Sequence, residues 1–198
     1  MPPERPHLIV LAGPNGAGKT TVSAELLRGA LGVHEFVNAD TIARGLSEFK
    51  PEGVAIEAGR VMLRRLHHLT AQRLDVAFET TLASRSFAPW IRELMQLSGY
   101  AFYLFFFSLP APELAIERVA ERVRRGGHSV PDDVIRKRFD AGLRNFFSIY
   151  RPIATRWRFF DNSGPHRRRL IASGGTGLDD QLYDVATWRQ VERQWRHG

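Results

Sequence analysis

The segment from Gly13 to Thr20 carries the strongest chemical signal in the sequence. It reads Gly-Pro-Asn-Gly-Ala-Gly-Lys-Thr and fits the pattern G-x4-G-K-[ST] at every required position. Glycines let backbone N–H groups converge on phosphate oxygens, the lysine places a cation on the β- and γ-phosphates, and the hydroxyl reaches Mg²⁺. The pattern predicts a phosphate-binding loop (P-loop) for a nucleoside triphosphate, in which Thr20 contacts the metal. The predicted nucleotide-binding residues are Gly13, Pro14, Asn15, Gly16, Ala17, Gly18, Lys19, Thr20 and Thr21.

Two carboxylates follow short apolar runs elsewhere in the chain. Asp40 ends the run 36–40, and Glu79 ends the run 76–79. Beside a phosphate-binding loop, one carboxylate can orient an attacking hydroxyl, while the other holds substrate or a water bound to magnesium. Each also has a structural alternative, since Asp40 could cap the following helix and Glu79 could be a solvated loop acid. Thr81 is the candidate substrate contact, although it could equally be a strand residue.

Composition and missing motifs narrow the class of protein that such a loop would serve. The chain has 198 residues and no cysteine, which excludes disulfide frameworks and Cys-ligated zinc or iron–sulfur sites. The guanine-reading tetrapeptide Asn-Lys-x-Asp is absent, and no apolar strand ending in Asp-Glu follows the glycine-rich segment 172–177. These features weigh against a GTPase and a transporter ATPase. They favour a kinase that moves the γ-phosphoryl of ATP to a hydroxyl of a small acceptor.

The charge balance leaves a second class of function open. The chain has 28 basic and 21 acidic residues, a net charge of +7, and only three of the basic residues are lysines. An arginine excess suits phosphate recognition and would also suit a nucleic-acid-binding ATPase or a polynucleotide 5′-kinase. An arginine-rich solvated surface accounts for the same numbers. We therefore favour the small acceptor over nucleic acid as the partner.

The pattern of apolar residues predicts the elements that would position these groups. Strand-like and helix-like segments alternate, which is typical of an α/β fold with a mostly parallel sheet of about five to six strands and helices on both faces. Ligands of such folds bind beyond the carboxyl ends of the strands.

No apolar run is long enough to span a bilayer, and the N-terminus lacks a signal-peptide layout, so we expect no membrane association and a cytoplasmic location. We expect one P-loop kinase-like domain over 1–198 with a helical lid at about 112–150. The predicted strands are 7–12, 35–38, 74–79, 100–107, 156–161 and 168–172, and the predicted helices are 18–30, 41–47, 52–73, 87–98, 112–125, 131–150 and 179–195.

Taken in series, the motifs resemble the zeta-toxin-like P-loop kinases. The resemblance rests on Gly-Pro-Asn-Gly-Ala-Gly-Lys-Thr-Thr at 13–21, Val-Asn-Ala-Asp at 37–40, Phe-Glu-Thr-Thr-Leu at 78–82, Gly-Gly-His-Ser-Val-Pro at 126–131, Arg-Phe at 138–139 and Phe-Asp-Asn-Ser at 160–163. These motifs occur in the family's order and cover nearly the whole chain. The studied toxins of this family phosphorylate UDP-N-acetylglucosamine with ATP and Mg²⁺, and an antitoxin restrains them. The resemblance therefore implies a nucleotide-sugar acceptor and an antitoxin-like protein inhibitor.

The resemblance also implies roles for individual residues. Lys19 and Thr20 would hold the phosphates and Mg²⁺, and Asp40 would be the base that faces the acceptor hydroxyl. Glu57, Glu79 and Thr81 would bind the acceptor, with an exposed helical glutamate as the alternative for Glu57. The family neutralises the transferred phosphate with lid arginines, for which the candidates here are Arg118, Arg122 and Arg138. His128 stands where a toxin arginine would fall, and it is either a phosphate contact or an exposed loop residue.

Overall fold

The computed structural model describes residues 5–47, 51–164 and 168–197. In this part of the chain seven strands form one sheet in the order β2-β3-β1-β4-β5-β6-β7. The first five strands in chain order pair in parallel; at one edge β6 pairs antiparallel with β5, and β7 pairs antiparallel with β6. The fold is therefore α/β with a mostly parallel sheet, as the sequence predicts. The strands are β1 (His7–Ala12), β2 (Glu35–Val37), β3 (Val76–Thr80), β4 (Ala101–Ser108), β5 (Arg156–Asp161), β6 (Arg169–Gly175) and β7 (Leu178–Leu182).

Helices cover both faces of the sheet. One face packs under α3, α4, α6 and α7, and the other packs under α1, α5 and further residues of α6. The central strand β4 is apolar along its length because alternate side chains enter the two cores, with Phe102 and Phe106 on one side and Phe105 and Phe107 on the other. The helices are α1 (Lys19–Ala24), α2 (Ala39–Leu46), α3 (Ala55–Ala71), α4 (Phe87–Leu97), α5 (Pro112–Arg124), α6 (Asp132–Asn145) and α7 (Val185–His197).

Two helices continue into less regular turns. The predicted helix 18–30 is α1 followed by a π-helical segment, Glu25–Ala30. The predicted helix 131–150 is likewise α6 followed by the π-helical segment Phe146–Tyr150. The π-helical segment after α6 belongs to the core, because residues 146, 147 and 150 are all buried.

The C-terminal region differs from the prediction. The glycine-rich segment 172–177, which begins at the end of the predicted strand 168–172, belongs largely to β6, and Thr176-Gly177 forms the turn into β7. Residues 179–184, predicted as the start of the last helix, lie in β7 and the turn after it, so α7 begins at Val185. The β7 side chains are all exposed, and the strand is held by backbone pairing to β6. The sheet consequently has seven strands, above the expected five to six.

The strand register brings the carboxyl ends of the central strands to one edge of the sheet. Ala12 of β1 is paired with Thr80 of β3 and with Phe106 of β4, and Ser108 of β4 is paired with Asp161 of β5. The loops that leave these strands therefore meet above the same edge, where ligands of such folds bind. Within the described ranges, none of the helices has the length and apolar character that crossing a bilayer requires.

Candidate active site

The loop that joins β1 to α1 has no room for side chains at its glycines. Gly13 has φ +140°, and a Cβ there would lie 2.2 Å from the carbonyl oxygen of Phe107. Gly16 has φ +75°, and its Cβ would lie 2.7 Å from the carbonyl oxygen of Ala115 in α5. The end of β4 and the start of α5 therefore press directly on the loop. The glycines that the phosphate-binding pattern requires are also required by packing.

Lys19, the last residue of that loop and the first of α1, is buried with 6% of its side chain exposed. Its Nζ donates hydrogen bonds to the carbonyl oxygens of Gly13 at 2.8 Å and Pro14 at 2.9 Å. Glu79 Oε1 lies 3.8 Å from the same nitrogen. Burial lowers the pKa of the Lys19 ammonium, and the charges of Glu79 and Asp40 oppose this shift. The structure thus holds one cation over the loop, close to both predicted carboxylates.

Glu79, at the end of β3, contacts several of the polar groups around the loop. One of its carboxylate oxygens, Oε2, accepts hydrogen bonds from the Thr20 hydroxyl at 2.9 Å and from Asn38 Nδ2 at 3.0 Å. The predicted metal contact and the predicted acceptor-binding carboxylate are therefore direct neighbours. Within the described residues, no group of three or more His, Cys, Asp or Glu side chains could form a metal cage. A magnesium ion would instead need phosphate oxygens and water beside Thr20 and Glu79.

Asp40 does not cap the helix that follows β2. Asn38 does so, because its Oδ1 accepts from the backbone N–H groups of Asp40 at 2.8 Å and Thr41 at 3.3 Å. Asp40 lies in the first turn of α2 with an exposed side chain and acts electrostatically on Lys19. Its carboxylate is thus left available at the mouth of the site.

The predicted lid arginines occupy two different places. Arg122 and Arg138 are close enough to Lys19 that their positive charges lower the pKa of its ammonium. Arg122 Nη2 donates to the carbonyl oxygen of His128 at 2.7 Å, and its Nε is buried without a hydrogen-bond partner in the described structure. Arg118 instead donates to the carbonyl oxygens of Asn162 and Ser163, both at 2.8 Å, in the loop after β5. The structure therefore groups Arg122 and Arg138 with Lys19 and places Arg118 toward β5.

An open cleft of about 310 Å³ extends from Lys19 between α2, α3 and α6. Asp40 and Arg138 line it, and four hydroxyl side chains, Thr80, Thr81, Ser84 and Ser86, contribute to its wall. Glu57 is exposed and is not among the residues that line the cleft, to which α3 contributes Gly59, Met62 and Leu63. The contact of His128 near the site is made by its backbone, since its carbonyl oxygen accepts the hydrogen bond from Arg122 described above. The remaining lining residues are Asn15, Asn38, Ala39, Glu79 and Phe87.

Two asparagine side chains that are not among the predicted site residues organise the site. Asn38 links Glu79 to the start of α2, and Asn162 donates from Nδ2 to the carbonyl oxygen of Ala17 at 2.7 Å, which ties the loop after β5 to the phosphate-binding loop. Both lie in motifs quoted for the family resemblance, Asn38 as the last residue of a predicted strand and Asn162 directly after another. What the sequence lacked was any sign of the partner that each amide would meet.

Comparisons with known proteins identify the family and the fold of the chain. A family described as an AAA domain (AAA_33) matches residues 8–149 of the chain. The chain belongs to this AAA domain family. A protein of Haemophilus influenzae, described as uncharacterised, is 25% identical to this chain over 131 residues. The aligned region is 66% of this chain and 91% of the relative.

Solved structures show how widely this fold is shared. A chain of the AvrRxo1-ORF1:-ORF2 complex with ATP superposes with a TM-score of 0.77 at 19% identity, and the alignment covers 94% of the AAA domain chain and 63% of that chain. The PezAT chromosomal toxin–antitoxin system of Streptococcus pneumoniae gives a TM-score of 0.63 at 16% identity, covering 98% and 80%. A gluconokinase of Sinorhizobium meliloti 1021 gives 0.52 at 22%, covering 82% and 86%. The AAA domain chain thus has the fold of P-loop kinases, as its motifs predict, and spans only part of the AvrRxo1 relative.

Proposed function

We propose that the protein is an ATP-dependent phosphotransferase that moves the γ-phosphoryl group of ATP to a hydroxyl of a small acceptor. The observation that carries this proposal is the continuity of two sites at Lys19, since the same cation lies over the phosphate-binding loop and lines the cleft that contains Asp40. A donor phosphate in the loop and a hydroxyl in the cleft would therefore meet beside one buried cation. Positioning and electrostatic stabilisation are the main contributions that a phosphoryl-transfer enzyme makes.

The residues around the loop suit ATP and Mg²⁺. In the described structure no side chain caps the start of α1 at Gly18, and a Cβ at Gly13 or Gly16 would collide with the backbone carbonyl oxygens that press on the loop. The buried, unpartnered Arg122 Nε is a donor of the kind that phosphate oxygens accept. Thr20 and Glu79 would hold the magnesium ion, Thr20 through its hydroxyl and Glu79 directly or through bound water. When bound, the ion would neutralise charge on the β- and γ-phosphates.

Asp40 is the proposed base. Its exposed carboxylate would accept the proton of the acceptor hydroxyl as the new oxygen–phosphorus bond forms and the bond to the ADP oxygen breaks. Lys19, Arg122 and Arg138 would balance the negative charge of the transferred group, because the charges of both arginines act on the Lys19 ammonium. Arg118 would act on the nucleotide side, where it fixes the backbone of the loop after β5 against the phosphate-binding loop.

The cleft favours a polar, hydroxyl-bearing acceptor. Its four hydroxyl side chains can exchange hydrogen bonds with a sugar, and Arg138 can pair with an anionic group on the same molecule. Thr81 contributes one of these hydroxyls, as proposed for an acceptor contact. A nucleotide sugar such as UDP-N-acetylglucosamine combines both features and is the acceptor that we propose. The likeness of the fold to PezAT and to the AvrRxo1 complex supports an antitoxin-like protein as a further partner.

The test is transfer of label from [γ-³²P]ATP to UDP-N-acetylglucosamine, to a metabolite extract and to a 5′-hydroxyl oligonucleotide. Wild-type protein should label a small acceptor, and Asp40→Asn should bind ATP with unchanged affinity while losing about 10²-fold or more of the transfer rate. Lys19→Ala should lose ATP binding itself. Full transfer activity in Asp40→Asn would refute the role of Asp40, and label on the oligonucleotide alone would favour a polynucleotide kinase.

A further inference from the structure

The turn after β3, which forms one wall of the cleft, is held in an unfavourable backbone conformation. Leu82 has φ +61°, a left-handed value that a non-glycine residue rarely adopts, and its side chain is buried with 1% exposed. Within the turn, the backbone N–H of Leu82 donates to Thr80 Oγ1 at 3.0 Å. Such a conformation persists only where surrounding structure fixes it, and it clusters at binding and catalytic sites.

Helix α6 and the segment after it supply that fixation. Asn145, with 2% of its side chain exposed, donates from Nδ2 to the carbonyl oxygens of Leu82 and Ala83, both at 2.9 Å. The Tyr150 hydroxyl donates to the carbonyl oxygen of Ser84 at 2.6 Å. Gly142 lets the helix approach the turn closely, because a Cβ there would lie 2.4 Å from the carbonyl oxygen of Thr81. Three successive turns of chain thus contact four consecutive carbonyl groups, from Thr81 to Ser84.

The same helix face carries an arginine of the proposed active site. Arg138, Gly142 and Asn145 are spaced at i, i+4 and i+7, which places them in one row along a helix. Arg138 lines the cleft from one side, and the turn fixed by Gly142 and Asn145 lines it through Thr81 and Ser84. The rigid spacing of α6 therefore sets the distance between a phosphate-binding cation and the hydroxyl wall.

We propose that Asn145 is a positioning residue for the acceptor subsite, acting through the strained turn 80–84 without touching the acceptor. This proposal rests on the phosphotransferase function and deepens it, because it assigns control of acceptor binding to α6. Only a side chain with two N–H donors can satisfy both carbonyl groups from this buried position. Removal of the amide leaves two buried acceptors unpaired and releases the turn toward an ordinary backbone conformation.

The experiment compares wild type with Asn145→Ala, Asn145→Asp and the control Ser148→Ala, an exposed residue of the π-helical segment that follows α6. Asn145→Asp keeps the shape, loses both donors and sets carboxylate oxygens against the two carbonyl oxygens, so it should release the turn at least as much as the alanine variant. Hydrogen exchange of peptides covering 80–86 reports the turn directly and needs no acceptor. Affinity for ATP with Mg²⁺ is measured by calorimetry, and the KM and kcat for UDP-N-acetylglucosamine are measured by label transfer.

Both Asn145 variants should exchange hydrogen in 80–86 about tenfold faster or more, from the loss of two buried hydrogen bonds. Their kcat/KM for UDP-N-acetylglucosamine should fall about tenfold or more, chiefly through KM, while ATP affinity stays within about twofold of wild type. Unchanged exchange in 80–86, or an equal loss of ATP affinity, would overturn the positioning role. If wild type does not phosphorylate this probe, the proposed acceptor fails, and the exchange and ATP measurements still decide the role of Asn145.

Discussion

At the scale of single residues, the site is organised by the environment of Lys19. Its ammonium is buried, and burial lowers its pKa, so the charged form depends on the carboxylates of Glu79 and Asp40. Glu79 has a second task, because the same carboxylate accepts the Thr20 hydroxyl and the Asn38 amide. One glutamate therefore connects the cation, the proposed metal contact and the helix that carries the proposed base.

Glu79→Gln tests this connection with a change of charge and almost no change of shape. We expect the magnesium concentration needed for half-maximal transfer to rise about 10- to 100-fold, the range found when groups that support a metal site are altered. The measurement is a magnesium titration of label transfer at saturating ATP. Glu35→Gln, at an exposed carboxylate paired with Arg65 away from the cleft, is the matched control. An unaltered magnesium requirement in the Glu79 variant would remove Glu79 from the metal site.

The sequence predicts this residue pair, and it misses the amides that support it. Lys19 and Glu79 are predictable because a motif fixes one and the end of an apolar strand fixes the other. Asn145 lies within a predicted helix among apolar neighbours, and no local pattern indicates that its partners are carbonyl groups 62 and 63 residues away. Strain at Leu82 is equally invisible, because leucine has no preference for a positive φ.

At the scale of elements, the residues of the phosphate-binding loop are determined by packing as well as by phosphate chemistry. It lies between the end of β4, the start of α5 and the loop after β5, and these contacts leave no space for a Cβ at Gly13 or Gly16. Because the contacting atoms are backbone carbonyls of regular elements, they cannot rotate away as a flexible side chain could.

Gly13→Ala should therefore destabilise the fold as well as abolish ATP binding. A Cβ 2.2 Å from the Phe107 carbonyl oxygen forces β4 or the loop to move, and the expected cost is at least about 2 kcal/mol. Thermal unfolding should show the midpoint fall by about 4–8 °C for a chain of this size. Gly29→Ala is the control, since a Cβ at Gly29 meets nothing within 4 Å and its φ is not positive. That variant should match or slightly exceed wild-type stability, and equal effects of the two substitutions would contradict the packing argument.

The elements themselves are predictable where the apolar pattern is strong. The buried strand β4 and the amphipathic helix α5 appear within one residue of the expected bounds. The strand β7, Leu-Asp-Asp-Gln-Leu, was missed because every side chain is exposed, and the contacts that hold it are backbone pairing with β6 and an ion pair of Asp180 with Arg151. The π-helical ends of α1 and α6 were missed because residue type does not encode the change in hydrogen-bond spacing.

At the scale of the whole molecule, alkaline pH should separate two opposite contributions to stability. Burial raises the pKa of Tyr100 and of Tyr150 to about 12, and each hydroxyl donates to a backbone carbonyl, of Leu74 and of Ser84 respectively. Unfolded tyrosine ionises near pH 10, so between pH 10 and 12 the native state binds more protons than the unfolded state. The stability that both tyrosines contribute is complete below pH 10 and is lost as the pH rises toward 12. Lys19 contributes to the pH dependence with the opposite sign. Its lowered pKa makes the native state release this proton at a lower pH than the unfolded chain, in which the lysine has a pKa near 10.5.

The free energy of unfolding, measured in urea from pH 8 to pH 12, should therefore decline above pH 10 more steeply in wild type than in Tyr150→Phe. The phenylalanine variant has no hydroxyl at position 150 to ionise in either state. The decline in the free energy of unfolding that remains therefore reflects Tyr100 and the other groups of the chain that titrate above pH 10. Tyr183→Phe is the matched control, because that ring is exposed with 56% of its surface accessible. Lys19→Met should remove the opposing rise that occurs as the pH approaches 10.5 and make the net decline steeper. A wild-type profile that coincides with that of Tyr150→Phe from pH 10 to pH 12 would contradict this prediction. The Tyr150 hydroxyl would then hold its proton no more tightly in the folded state than in the unfolded state, and its hydrogen bond to Ser84 at the edge of the cleft would contribute no pH-dependent stability.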